Sequence, residues 1–285
     1  MGKANTREID GMLQKICFCI AKESENRERD ALLKRAEEHL TGEGLEARVL
    51  TLAQAHPAEH PDCLYLTDDP AIAWELRAAR GKVAGFLHGK NREEKFTGLK
   101  FVFDEIDEVE ADSFQKAWER LSGLPWTILH TRRLIIRETT LDDVDAFYRI
   151  YRDPSMTEFQ EGLFEDPADE RRYMADYINR IYGLLGFGVW TLTLCDSGEV
   201  IGRAGFSIRN GFEEIELGFM IAREHQGRGY AFEACRAILH YGQQVLLLPR
   251  VQAMVKEGND ASVHLCEKLG FRRDGMVRVE EDVYG

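Results

Sequence analysis

Apolar and polar residues alternate from Ile215 to Ile221: Ile215, Leu217, Phe219 and Ile221 share one side, and Glu216, Gly218 and Met220 the other. A period of two predicts a strand with one face against a core. The alternation breaks at Gln226-Gly227-Arg228-Gly229-Tyr230-Ala231. Beyond it Ala231, Cys235, Ile238 and Val245 recur at helical spacing, predicting a helix that stops before Pro249.

The same reading extends both ways. The apolar run at 15–21 predicts a buried strand, and a charged helix over 25–40 follows, closing near Gly42 and Gly44. Strands are predicted at 48–52, 64–67, 83–87 and 101–103. Helices are predicted from Pro70 to Ala79, with Asp69 as N-cap, and over 111–121. Strands alternating with helices imply a small three-layer, Rossmann-like α/β domain over 1–125. Ser122-Gly123-Leu124-Pro125-Trp126 interrupts the pattern and marks the boundary with a second domain, 126–285.

That domain opens with a strand at 134–138. Thr140 caps a helix whose stripe is Leu141, Val144, Phe147 and Tyr151, with Asp143 completing the cap. Asp166-Pro167 starts another helix. Strands at 189–194 and 200–208 turn through Asp196-Ser197-Gly198, and Asn210-Gly211 leads into the alternating strand. A strand at 250–255 and a helix capped by Asn259 or Asp260 and closing at Gly270-Phe271 complete the series.

Composition narrows the classes. A chain of 285 residues suggests two domains more readily than one. The net charge of −13 leaves no basic footprint, so nucleic acid is not an expected partner. No segment has the length of a membrane helix, so no membrane is expected either. Six cysteines without a C-x-x-C spacing read as buried thiols of a reducing, cytoplasmic setting. An acidic surface favours a cationic or basic acceptor, though solubility explains it equally well.

The candidate chemistry lies where the alternating strand meets its helix. Unpaired N–H groups of a first helical turn, the positive end of the helix dipole and two glycines form an anion cradle. Gln226, Gly229 and Ala231 spell Q-x-x-G-x-A, five residues after Ile221. This resembles the pyrophosphate-binding loop of the GCN5-related N-acetyltransferases (GNAT), which use acetyl-CoA and no metal. The run Asn259–Phe271, N-x-x-S-x-x-L-x-E-K-L-G-F, is similar to a second motif of the family. Thr131-x-Arg133-Leu134-Ile135-Ile136-Arg137 resembles the opening of its ribosomal-protein N-acetyltransferase-like branch.

The resemblance implies a C-terminal mixed, mostly antiparallel sheet flanked by helices. It implies acetyl transfer to a primary amine, either a protein N-terminus or a small molecule. Gln226, Gly227, Arg228, Gly229, Tyr230 and Ala231 would hold the diphosphate, and Met220 and Ile221 would offer N–H groups to the thioester carbonyl. Glu216 is the candidate base; the competing reading is a strand glutamate paired with Arg203 or Arg209. Asn259 and Ser262 would touch the cofactor or else cap their helix. Cys266 stands where many relatives have a tyrosine acid, and is otherwise a core thiol. Phe159 and Phe164 are substrate-contact candidates. The family's further strand, which borders the acceptor site, would only begin at Asp282–Gly285, so that either it is very short or another element or a second subunit, as in a homodimer, completes the sheet. The alternative function is a coenzyme A-binding module without turnover.

The first domain is expected to be accessory. The stretch 64–89 distantly resembles the later half of haloacid-dehalogenase-like phosphatases, but Ala21-Lys22-Glu23-Ser24 stands where that family's nucleophilic aspartate belongs. Asp68 and Asp69 could ligand Mg²⁺, whereas helix capping accounts for them without a metal. For Cys266, the core reading predicts that Cys266→Ala lowers turnover by less than about tenfold in steady-state assays. A fall of about a hundredfold would identify an acid.

Overall fold

The computed structural model describes residues 12–20 and 26–278. The chain divides into two compact units, Met1–Trp126 and Thr127–Gly285.

In the first unit, β1 (Lys15–Cys19), β2 (Glu46–Leu50), β3 (Cys63–Thr67), β4 (Lys82–Phe86) and β5 (Val102–Phe103) form a parallel sheet in the order β2-β1-β3-β4-β5. Its central strands are buried on both faces, which is why they read as unbroken apolar runs. Ile16, Phe18, Leu64 and Phe86 pack against α1 (Arg27–Gly42) and α3 (Ala111–Ser122). Cys17, Cys19, Tyr65 and Val83 pack against α2 (Pro70–Ala78). The two aspartates separate in role. Asp69 caps α2, accepting from the amides of Ala71 at 2.7 Å and Ile72 at 3.3 Å. Asp68 does not cap; it lies 3.3 Å from Arg29 and 3.2 Å from His88. The stretch Ala21–Ser24 compared above falls outside the described residues.

The second unit is a six-stranded sheet in the order β11-β10-β9-β8-β7-β6. Its strands are β6 (Thr127–His130), β7 (Leu134–Arg137), β8 (Val189–Leu194), β9 (Val200–Ser207), β10 (Ile215–Ile221) and β11 (Val251–Gln252). All neighbours are antiparallel except β10 and β11. On one face Leu134, Trp190, Phe206, Leu217 and Ile221 meet Ala234, Cys235 and Ile238 of α7 (Tyr230–Gln244). On the other lie α4 (Val144–Ile150) and α5 (Pro167–Tyr177), extended by a π turn and α6 (Gly183–Leu185). Here Val144 and Phe147 pack with Met174, and Ile150 packs with Met156 and Met220. The last helix, α8 (Asp260–Lys268), is capped by Asn259, whose side chain accepts from the Ser262 amide at 3.1 Å.

Several expectations are corrected. Val245 follows the end of α7 and is exposed, so the stripe ends at Ile238 and Gly242. The strand at 250–255 shrinks to two residues, because β10 diverges from it beyond Glu216. An edge strand, β6, precedes β7; the half-exposed residues of Thr127–His130 lack the alternation that announces a strand. Cys195 is exposed, unlike the other five cysteines. No strand forms over residues 271–278, and residues 279–285, where the further strand was expected, fall outside those described. Among the described residues no helix is long and apolar enough to cross a membrane.

One buried pair ties the sheet to its first helix. Arg137 of β7 donates from both terminal nitrogens to Asp143, at 2.7 Å each, and the amide of Thr140 donates to the same carboxylate at 2.8 Å. Asp143 is 3% exposed. Burial alone would raise its pKa, yet the bonds from Arg137, Thr140 and Thr191 outweigh it and hold the carboxyl below its ordinary value. The depressed value stabilises the fold above the unfolded-state pKa, and that stability disappears as pH falls through the folded-state pKa. Asp143→Asn is therefore expected to destabilise the second unit by about 3 kcal/mol at neutral pH. Denaturant titrations across the acid range should show the variant lacking the wild type's loss of stability below about pH 4.

Candidate active site

The site is built on a helix that starts without a cap. α7 begins after Gly227 and Gly229, whose φ angles are +72° and +80°, a left-handed backbone that only glycine adopts without strain. The N-cap is Gly229 itself, so no side chain bonds the first turn. Among the described residues, no protein group accepts from the amides of Gly227, Arg228, Gly229, Tyr230, Ala231 or Phe232. Six donors at the positive end of a fifteen-residue helix are suited to an anion with several oxygens. A side chain at Gly227 would point into open space, so its conformation, and not crowding, requires glycine there.

Gln226 fastens the entry to this loop. Its Nε2 donates to the Ile221 carbonyl at 2.9 Å, and its Oε1 accepts from Arg223 at 3.2 Å. The backbone amide of Gln226 donates to Arg223 O, so this residue shapes the loop while its neighbours offer the open donors. The Arg228 side chain is exposed.

Arg133 and Glu233 are the site residues that pattern reading missed. Glu233, in the first turn of α7, accepts from Thr131 Oγ1 at 2.7 Å, the Arg133 amide at 2.9 Å and Arg133 Nε at 2.6 Å. Burial would raise the Glu233 pKa, but these bonds lower it. Arg133 also donates to the Arg228 carbonyl at 3.0 Å and stacks 4.3 Å over the Tyr230 ring. Thr131 and Arg133 of the T-x-R-L motif thus hold the loop from the far side of the sheet. The signal lay in that motif, but only the fold brings it to α7.

Beside the loop the sheet is open. β11 pairs with β10 only through Ile215 and Glu216. The Ala222 amide donates to Ile201 O of β9, so by alternation Gly218 and Met220 direct their amides at β9. Phe219 and Ile221 direct theirs toward the opening. The expected pair of Met220 and Ile221 is therefore divided: Met220 belongs to the ladder, its side chain packed on Ile150 and Met156, and Phe219 joins Ile221 at the gap. Phe159, from the segment between α4 and α5, approaches the position a side chain at Gly258 would take within 3.7 Å, near the start of α8. Phe164 packs instead on Tyr173, ring centres 5.8 Å apart.

Glu216 lies on the side of β10 that carries Gly218 and Met220, 7% exposed. Both its oxygens are held by Arg209: Nη2 lies 3.2 Å from Oε1, and Nε contacts Oε2. A proton acceptor here acts through this pair. Cys266 is buried, and burial together with the charge of Glu267 raises its thiol pKa. Asn259 and Ser262 bond each other as a helix cap.

An α/β sheet opened at one edge beside a glycine-framed, uncapped helix start defines a site suited to an anionic ligand. The comparisons with known proteins give the family. The model of the acetyltransferase (GNAT) domain matches residues 133–272. The uncharacterized N-acetyltransferase p20 of Bacillus licheniformis is 30% identical over 160 residues, covering 55% of this chain and 89% of that protein. The [ribosomal protein uS5]-alanine N-acetyltransferase of Escherichia coli is 35% identical over 85 residues, covering 29% of this chain and 44% of its own. A crystal structure of an acetyltransferase from Agrobacterium tumefaciens is 26% identical with a TM-score of 0.45, covering 55% of this chain and 91% of its own. The chain belongs to the GNAT acetyltransferase family.

The clamp on α7 carries a prediction. Glu233→Ala removes the acceptor of three bonds and is expected to lower the unfolding free energy of the second unit by about 2 kcal/mol in denaturant titrations. Glu233→Gln keeps an oxygen for Thr131 and the Arg133 amide and should lose less.

Proposed function

We propose that the chain is an acetyl-CoA-dependent N-acetyltransferase acting on a primary amine, with residues 127–285 as the catalytic domain and the first unit as an accessory domain. The observation that carries this reading is the row of six unpartnered amides from Gly227 to Phe232 beside an open β10 edge. The residues fit the donor: the amides and the exposed Arg228 match a diphosphate, and the gap beyond Glu216 offers a path for a narrow tail. Acetyl-CoA supplies the activated acyl group. Asn259 and Ser262, at the start of α8, are the further candidate contacts to this donor.

The protein's own part is small. The amides of Ile221 and Phe219 offer hydrogen bonds to a carbonyl that gains negative charge as an amine attacks, a contribution of about 3 kcal/mol. Glu216, oriented by Arg209, takes the amine's proton directly or through a water. The departing thiol is a weak enough base that water can protonate it, and Cys266 is the protein group in the corresponding position. The acceptor is a peptide N-terminus, by analogy with the alanine acetylated by the E. coli relative, or a small amine.

Titration calorimetry with coenzyme A tests the donor site. Binding should slow amide exchange at Gly227–Phe232, and absence of heat refutes the reading. Glu216→Gln should then lower kcat by about tenfold to a hundredfold while leaving coenzyme A affinity intact.

A further inference from the structure

Arg203 sits in β9 opposite Met220 of β10 and Thr191 of β8, on the sheet face turned away from α7. Along β10 the same face carries Gly218 and Glu216. The guanidinium lies 4.8 Å over the ring of Phe147, and its charge reaches the phenols of Tyr151, Tyr177 and Tyr182. Each of three other arginines of this domain has a carboxylate: Arg137 has Asp143, Arg209 has Glu216, and Arg133 has Glu233. Arg203 has none among the described residues. Its Nε is sealed from solvent without a hydrogen-bond partner, and its terminal nitrogens make no bond to protein. Stacking on Phe147 offsets only part of the desolvation of this half-buried guanidinium, and a carboxylate ligand would offset more through paired N–H bonds. Space is present beside it: a side chain built at Gly218 meets nothing within 4 Å.

Resting on the acetyl-transfer reading, we infer that Arg203 is the acceptor anchor, and that the acceptor carries a carboxylate several bonds from its amine. Arg203 stands opposite Met220, four residues along β10 from Glu216, about 13 Å of strand, which the two side chains shorten from either end. A carboxylate held at Arg203 leaves the far end of the same molecule beside Glu216. Phe147 supports the guanidinium from below and leaves its edge to the ligand. An ω-amino acid and a peptide with an acidic residue next to its N-terminus both meet this requirement, and the shared chemistry is the carboxylate.

Two matched pairs of acceptors distinguish the sources: 6-aminohexanoate against 6-aminohexanamide, and Ala-Glu amide against Ala-Gln amide. In at least one pair the carboxylate member should have a KM about tenfold or more lower than its neutral partner. Arg203→Gln should abolish that preference by raising the KM of the carboxylate member alone, and Arg203→Lys should restore part of it. Calorimetry of the N-acetylated products with coenzyme A present reads the same preference without turnover, and unchanged coenzyme A affinity shows that each variant is folded. Equal KM values within both pairs, or an Arg203→Gln effect equal on both members, would overturn the inference while acetyl transfer stands. Failure of the wild type to bind coenzyme A overturns both.

Discussion

A helix cannot satisfy its own first amides, and the second unit leaves that deficit open at α7. Three other helix starts are closed by their N-cap side chains: Asp69 for α2, Asp166 for α5 and Asn259 for α8. At α7 the N-cap is a left-handed glycine, so the first turn keeps its donors. The surrounding structure serves this arrangement. Gln226 closes the loop onto the end of β10, and Arg133, just before β7, holds it from there. β11 stops pairing after Glu216, which frees the neighbouring strand edge.

Arginine–carboxylate pairs do most of the positioning. Arg137 with Asp143 joins β7 to the start of α4, and Arg133 with Glu233 joins the residue before β7 to α7. Arg209 with Glu216 sets the candidate base. Each couples elements distant in the chain or turns a corner between neighbours, and each has a geometry that lysine could not reproduce. Arg203 lacks such a partner, which is why the face between β9, β10 and α4 is read as the acceptor side.

The first unit uses its polar residues differently. Asp68 at the end of β3 meets Arg29 and His88, and Asn91 donates to the carbonyls of Asp68 and Phe86. This knits the carboxyl ends of β3 and β4 to α1. Helix capping, which explains Asp69, does not explain Asp68, because only one side chain can reach the amides of Ala71 and Ile72.

The sequence by itself determined the elements and the loop. Alternation in β10, the caps at Asp69, Thr140 and Asp166, and the two glycines are local statements, because period, capping and positive φ depend on residues within a few positions. The T-x-R-L motif was visible, but its task was not, since Thr131 and Arg133 act on a residue about a hundred positions away. Tertiary structure alone decided that Arg209 and not Arg203 binds Glu216, that Met220 gives its amide to β9, and that β11 is short. Edge strand β6 was hidden for the same reason: a strand with little buried on either face leaves no hydrophobic period, and only its partner β7 defines it.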